Sequence, residues 1–261
     1  MREPASEQAA MLRVAAAADV HCRDESGEVM RSLLTRMAEA ADVLCLCGDL
    51  TDHGRASEAQ VLASALATAA PKPVLGVLGN HDFEAGEVEA VVRILSAAGM
   101  RVLCGDEFEF EGVGFAGAKG FGGGFGRHAL EPWGEPAIKE FVHEAVSEAL
   151  RLETALARLR TSTKIVLLHY SPIRETVEGE PCEIMAYLGS SRLEEPVNRY
   201  GAAAVLHGHA HHGSRFGRTA AGVPVYNVSV PLLKRGDDTA TAFHVLEVPR
   251  GAAVGSAGRE R

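Results

Sequence analysis

Seven side chains able to bind metal ions recur along this 261-residue chain, each at or just past the end of a short apolar run. Asp19 and His21 follow LRVAAAA at 12–18, Asp49 follows DVLCLC at 42–47, and Asn80 follows PVLGVL at 73–78. His169 ends KIVLLH at 164–169, and His209 and His211 follow AAAVLH at 202–207. Imidazoles, two carboxylates and an amide oxygen make a mixed nitrogen–oxygen donor set. Such a set suits Mn, Fe, Zn or Co better than Ca or Mg, which prefer oxygen alone. Seven donors exceed the four of a structural zinc site and point to two ions with open positions for water and substrate. Two ions roughly 3.5–4 Å apart suit phosphoryl chemistry, because together they clamp the attacking and leaving oxygens.

These residues can meet only if the strands before them lie side by side. Runs that are apolar at every residue indicate strands buried on both faces. Between them, Glu28–Ala41 carries Val29, Leu33, Leu34 and Met37 at helical spacing, and Glu84–Ala98 carries Val88, Val91, Val92 and Leu95. Ser57–Ala69 is alanine-rich and reads as a helix, and Arg101–Cys104 as a short strand. The order β-α-β-α-β-α-β implies a parallel sheet with right-handed crossovers. Asp19 to Asp49 to Asn80 advances by about one βαβ unit of roughly 30 residues each time, so spacing along the chain means adjacency in space. Ligands of such sheets bind beyond the carboxyl ends of the strands. Gly48, Gly79 and Gly208 each precede a candidate ligand, where positive φ or close backbone approach is needed.

The second half changes character. Short strands cross Phe108–Ala118, and a Gly-rich loop at 119–136 carries the only Trp. Then come a long helix over Pro136–Arg160, a strand ending at His169, a loop at 171–188 and a short helix over Leu193–Tyr200. Late strands are expected at Val223–Val230 and Ala240–Val248, with a turn at Arg235–Asp238. No repeat or linker divides the chain. One domain over 11–250 is expected, between an N-terminal tail at 1–10 and a disordered C-terminal tail at 251–261.

The net charge of −9 argues against non-specific binding to nucleic acid, which needs a basic footprint. A small phosphorylated substrate stays compatible, since bound metal ions reverse the local field. No apolar stretch is long and unbroken enough to span a bilayer. The N-terminal apolar run is flanked by acidic residues and does not read as a secretory signal, so a cytoplasmic location is the default expectation. The five cysteines (Cys22, Cys45, Cys47, Cys104 and Cys182) are odd in number and show no CxxC spacing, which fits reduced thiols. Cys45 and Cys47 share one face of a strand and read as small buried apolar residues.

Taken in order, Asp19-Val20-His21, Gly48-Asp49-Leu50-Thr51-Asp52, Gly79-Asn80-His81-Asp82, the lone His169 and Gly208-His209-Ala210-His211 resemble the motif series of the calcineurin-like metallophosphoesterase superfamily. The resemblance spans residues 19–211. It implies an α/β fold, a four-layer α/β/β/α sandwich of two mixed β-sheets flanked by helices. It implies that Asp19, His21 and His211 bind one ion, that Asn80, His169 and His209 bind a second, and that Asp49 bridges them. The ions would be divalent or trivalent Mn, Fe or Zn, with metal-bound hydroxide as nucleophile. His81 would stay off the metals and serve the leaving group, with Asp82 orienting it. Asn80 and His81 would also contact the substrate phosphate.

The GDxxD and GNHD forms are similar to those of bacterial class III cyclic-nucleotide phosphodiesterases. A phosphodiester is therefore the first expectation, with a phosphomonoester or nucleotide as the alternative. His53 stands where protein Ser/Thr phosphatases of the superfamily carry Arg, and Asp52 where purple acid phosphatases carry a metal-binding Tyr; both branches are disfavoured. The cluster HGHAHHG at 207–213 has a metallo-β-lactamase flavour, but that motif needs an Asp before its last His. It would also leave Asp19, Asp49, Asn80 and His169 unexplained. A non-catalytic scaffold should have lost several ligands, and this chain lacks none. Arg127 and His128 in the Gly-rich loop are candidate phosphate contacts, because Arg pairs well with phosphate oxygens. His207 and His212, beside the ligands but outside the motif, are further candidates for outer or substrate contact. His143 and His244 are expected to be structural or on the surface.

Overall fold

The computed structural model describes residues 10–235 and 242–251. The expected tails and much of the Arg235–Asp238 turn therefore fall outside the described residues. Among the described residues, eleven strands form two sheets. In the first half the chain alternates as the apolar runs require: β1 (Met11–Ala17), α1 (Gly27–Ala40), β2 (Val43–Cys47), α2 (Ala56–Leu66), β3 (Val74–Val77), α3 (Val88–Ala97) and β4 (Met100–Val102). Next come β5 (Asp106–Phe110), β6 (Val113–Gly117), α4 (Pro136–Arg158), β7 (Thr163–Leu167), α5 (Met185–Leu188) and α6 (Glu194–Arg199). The chain closes with β8 (Ala204–His207), β9 (Phe216–Arg218), β10 (Pro224–Asn227), α7 (Val230–Leu233) and β11 (His244–Pro249).

One sheet has the order β11-β1-β2-β3-β4, parallel except for β11. The other runs β5-β6-β7-β8-β10-β9, parallel through its centre with β5 and β9 reversed at the edges. Both are mixed sheets. Leu12, Val14, Cys45, Cys47 and Leu75 from the first sheet pack against Phe115, Ile165, Leu167 and Leu206 from the second. The outer face of the first sheet meets α1, α2 and α3 through Leu44, Leu46, Leu34, Met37, Leu62 and Leu95. The outer face of the second meets α4 and α6 through Val166, Val205, Leu152, Leu156 and Val197. The result is an α/β/β/α sandwich, as expected. Each central strand is buried on both faces, which is why the runs carry no alternation.

Some details depart from the periodicity. In α1 the inward face uses Met30, and Val29 is 63% exposed. The third helix starts at Val88 instead of Glu84, because His81–Phe83 forms a 3-10 turn and Gly86 adopts φ +70° before it. β9 is a three-residue edge strand with no apolar run to announce it. The 171–188 loop contains short helical turns at Glu175–Val177, Cys182–Ile184 and Met185–Leu188. Cys45 and Cys47 share the inter-sheet core, and burial pushes both thiols well above their usual range. Among the described residues, no helix is long and apolar enough to cross a membrane.

Candidate metal centre

The strand register brings the candidate ligands to one edge. Cys47 pairs with Val77 across β2 and β3, so Asp49 and Gly79 lie equally far beyond their strands. Leu167 pairs with Leu206, and the Gly208 N–H donates to the His169 carbonyl at 3.1 Å. Asp19, His21, Asp49 and His209 all have positive φ, between 41° and 70°. Non-glycine residues rarely adopt this conformation, and it persists where surrounding structure enforces it at functional sites. Gly48 also has positive φ (86°), whereas Gly79 is needed for close approach: a Cβ there would lie 2.1 Å from Asp49 Oδ1.

Among the described residues, two donor clusters gather the expected ligands, and a third brings His21, Asp52 and His81 together. Asp19, His21 and His211 present ligand atoms within 4.8 Å of one another, and so do Asp49, His169 and His209. Asp49 joins them. Its Oδ1 lies 3.4 Å from His169 Nε2, and its Oδ2 lies 3.8 Å from His21 Nε2. Asn80 Oδ1 completes the second cluster, 3.0 Å from His169 Nε2.

Outer hydrogen bonds set which ring nitrogen faces the centre, since a carbonyl can only accept. His169 Nδ1 donates to the Cys47 carbonyl at 3.1 Å, which leaves Nε2 for the centre. His209 Nε2 donates to the Tyr187 carbonyl at 3.2 Å, which leaves Nδ1. His21 Nδ1 lies 3.3 Å from Asp52 Oδ1 without a hydrogen bond to it, and its Nε2 lies toward Asp49.

Asp19 and Asp49 are 2% and 1% exposed, and among the described residues neither touches a Lys or Arg side chain. Buried carboxylates need positive partners. Burial opposes the charge of Asp19, but the hydrogen bond from His211 and the fields of His169 and His211 hold its carboxyl well below the usual range. Burial, reinforced by His169, lowers His209 to about 3, so that ring is a neutral donor. An anionic Asp19 carboxylate and a neutral His209 ring are donors of the kind that metal ions require.

A family model described as calcineurin-like phosphoesterase matches residues 12–213. The chain belongs to the calcineurin-like phosphoesterase family. As a member of that family it is a metal-dependent phosphoester hydrolase. No curated protein sequence matches it closely enough to report. Its fold is similar to that of a phosphopantetheinyl hydrolase from Mycobacterium tuberculosis, with TM-score 0.64 and 16% identity over 89% of this chain and 95% of that one. It is also similar to a Thermus thermophilus protein, with TM-score 0.56 and 19% identity over 86% and 92% of the two chains. A third is an anchor in the inner membrane complex of Plasmodium, with TM-score 0.51 and 12% identity over 91% and 81%. A calcineurin-like phosphoesterase fold thus also occurs in an anchor, so the ligand set, not the fold, argues for chemistry here.

Other expectations for site residues fare differently. His81 lies at the rim, side chain 32% exposed, with Nε2 3.9 Å from Asp49 Oδ2. The expected pairing of Asp82 with the His81 ring is not formed. Asp82 is fully buried, and its carboxylate accepts from the N–H groups of Gly79, Leu50 and Thr51 and from the Thr51 hydroxyl. It ties the loops after β2 and β3 together. His81 Nδ1 instead donates to the Asp52 carbonyl at 2.8 Å and faces Glu84 Oε1 at 3.1 Å. Burial works against the charged form of His81, but that carbonyl and the fields of Asp49, Glu84 and Asp52 raise its pKa. Replacing Asp82 by Ala is expected to strand several buried donors, each worth about 1–3 kcal/mol. We expect a loss of roughly 3 kcal/mol, read as a melting temperature lower by roughly 10 °C. An unchanged melting temperature would contradict the clamp.

Arg127 and His128 are exposed and hydrogen-bonded to each other at 3.1 Å, with no contact to the clusters among the described residues. His212 is exposed, and its backbone N–H donates to Glu180. None of the three is brought to the centre. His207 is fully buried, bonded to the Gly208 carbonyl and Thr176 Oγ1 at 2.8 Å each, and burial lowers it to about 4; it is structural.

Asp52 and Glu84 are the residues that sequence reasoning missed. The Asp52 carboxylate lies 3.3 Å from His21 Nδ1 and accepts from Arg23 Nε at 2.8 Å, and its carbonyl accepts from His81 Nδ1. The only signal in the sequence was the last position of GDLTD, which served merely to separate family branches.

Proposed function

We propose that this hydrolase cleaves phosphodiesters at a centre of two Mn, Fe or Zn ions. Asp19, His21 and His211 would hold one ion, Asn80, His169 and His209 the other, and Asp49 both. The observation that carries this reading is Asp49: a buried carboxylate whose two oxygens face two separate histidine clusters. Such ions supply Lewis-acid polarisation of the phosphoryl group and a water acidic enough to attack it. The chain's own residues orient the reaction. Asn80 and His81, side by side at the rim, are placed to contact a phosphoryl oxygen. With Nδ1 tied to the Asp52 carbonyl, His81 can present a proton only through Nε2, which faces the centre. That proton goes to the leaving oxygen. Asp82 supports this geometry through the backbone and takes no part in the proton transfer.

A diester is favoured over a monoester by charge. Glu84 and Asp52, the latter paired with Arg23, flank His81, and no Lys or Arg side chain pairs with Asp19 or Asp49 among the described residues. This acidic rim suits a phosphodiester with one negative charge better than a monoester with two. The Mycobacterium tuberculosis relative, a phosphopantetheinyl hydrolase by name, is a neighbour in fold only. The test is a panel of bis(4-nitrophenyl) phosphate, 4-nitrophenyl phosphate and cyclic nucleotides with manganese-loaded protein. The diesters should exceed the monoester in kcat/KM by at least about tenfold, a difference of about 1.4 kcal/mol at the transition state. Higher efficiency on the monoester would overturn the diester reading and leave the two-ion centre standing.

A further inference from the structure

The Gly-rich loop and the segment around α5 hold each other in place. The Gly123 N–H donates to the Ala186 carbonyl at 2.7 Å, and the Gly124 N–H to the Gly189 carbonyl at 2.9 Å. So close an approach needs a residue without a side chain. A Cβ on Gly122 would lie 2.7 Å from the Ala186 oxygen and 3.2 Å from Tyr187 Cα. From the other side, Ser171, two residues past His169, donates its N–H to the Leu188 carbonyl at 3.1 Å. His209 Nε2 donates to the Tyr187 carbonyl at 3.2 Å. Every carbonyl from Ala186 to Gly189 is thus bonded to another segment. Leu188 is buried with Val177 and Ala210, and Ala210 stands between His209 and His211.

What this clamp presents to solvent is an aromatic ring. Tyr187 is 61% exposed. Its one ring contact among the described residues is with Phe141 of α4, 5.9 Å between centroids and nearly perpendicular at 85°. Single apolar side chains at a surface are ordinary. This one differs in being fixed from both sides, with its own carbonyl on an expected metal ligand. That bond puts the ring within a side chain's length of His209. The ligand set provides for the phosphoryl oxygens but offers no apolar partner to the rest of a substrate. A ring held rigid before binding loses little entropy when a flat group stacks on it.

We infer that Tyr187 is a specificity-determining residue that stacks on a planar aromatic ester group of the substrate while the phosphoryl group lies at Asp49. The Gly-rich loop is then the brace that fixes the ring beside the centre. An aryl ester and a nucleoside base share the chemistry that the ring recognises, a flat π face. The inference deepens the phosphodiester reading and rests on it for the reaction.

The test is calorimetric binding of benzylphosphonate, cyclohexylmethylphosphonate and ethylphosphonate to manganese-loaded protein, wild type, Tyr187→Ala and Tyr187→Phe. Phosphonates have no ester bond to cleave, so this outcome is read separately from the diester-against-monoester panel. In the wild type, benzylphosphonate should bind at least about tenfold more tightly than ethylphosphonate and several-fold more tightly than the cyclohexyl compound, which is apolar but not flat. Tyr187→Ala should bring the benzyl preference to within about twofold while leaving ethylphosphonate affinity unchanged. Its melting temperature should stay within about 3 °C of wild type, as for other exposed positions. Tyr187→Phe should keep the preference, since the ring and not the hydroxyl stacks. The phosphonate analogue of adenosine 5′-monophosphate separates the two sources: a larger gain than benzyl assigns a base, a smaller one an aryl group. Equal affinities for the benzyl and ethyl compounds in the wild type would overturn the inference, and so would equal affinities for the benzyl and cyclohexyl compounds. A Tyr187→Ala variant that keeps the preference, or that loses affinity for all three compounds alike, would also overturn it.

Discussion

Replacing Asp49 by Asn is expected to lower kcat/KM for a phosphodiester by at least about 10³-fold, with the chain still folded. Lewis-acid stabilisation is worth several kcal/mol, and each 1.4 kcal/mol is about tenfold in rate. The side chain is 1% exposed and faces His21 on one side and His169 on the other. Asn keeps the shape and can still accept the 3.0 Å hydrogen bond from the His81 N–H. What it loses is the negative charge shared between the clusters. Two ions would then face each other with one less anion between them, so at least one should dissociate. The readouts are kcat/KM, metal content and the far-ultraviolet circular dichroism spectrum. A variant with wild-type activity would exclude a bridging role for Asp49.

His81→Gln is expected to act differently: metal content unchanged, chemistry slowed. A positioned general acid contributes about 10²–10⁴-fold. The loss should depend on the leaving group. An alkyl ester leaves as a strongly basic alkoxide and needs the proton, so its kcat should fall by about that factor. A 4-nitrophenyl ester leaves as a weakly basic phenolate, and its kcat should fall much less. Steady-state kinetics on a matched pair of diesters settles the point. Equal losses for both would show that His81 stabilises charge on the phosphoryl group and does not protonate the leaving oxygen. Lost manganese would show that it is a ligand.

The parallel half of the fold was legible because burial on both faces leaves an unmistakable mark. β2 is five residues long and every one is buried, so its sequence is apolar throughout. The candidate ligands were legible for a related reason. Asp19, Asp49, Asn80 and His169 break or end apolar runs at strand termini, where a polar residue has no packing role. Edge elements leave weaker marks. Among the described residues β9 pairs only with β10, and its exposed Phe216 and Arg218 flank one glycine.

The outer contacts of the centre were not legible, because they depend on how loops fold back. Asp82 was expected to orient a ring and instead collects backbone N–H groups from two loops. Nothing in the residue order tells these roles apart. The carbonyl that does orient His81 belongs to Asp52, and any residue type could have supplied it.

Metal content per chain, measured by plasma mass spectrometry after loading with manganese and removing excess, tests the central claim most directly. Two tightly held ions per wild-type chain, falling to one or none in Asp49→Asn, is the expected result. A wild-type chain that retains one ion or none under those conditions would contradict a two-ion centre joined by Asp49.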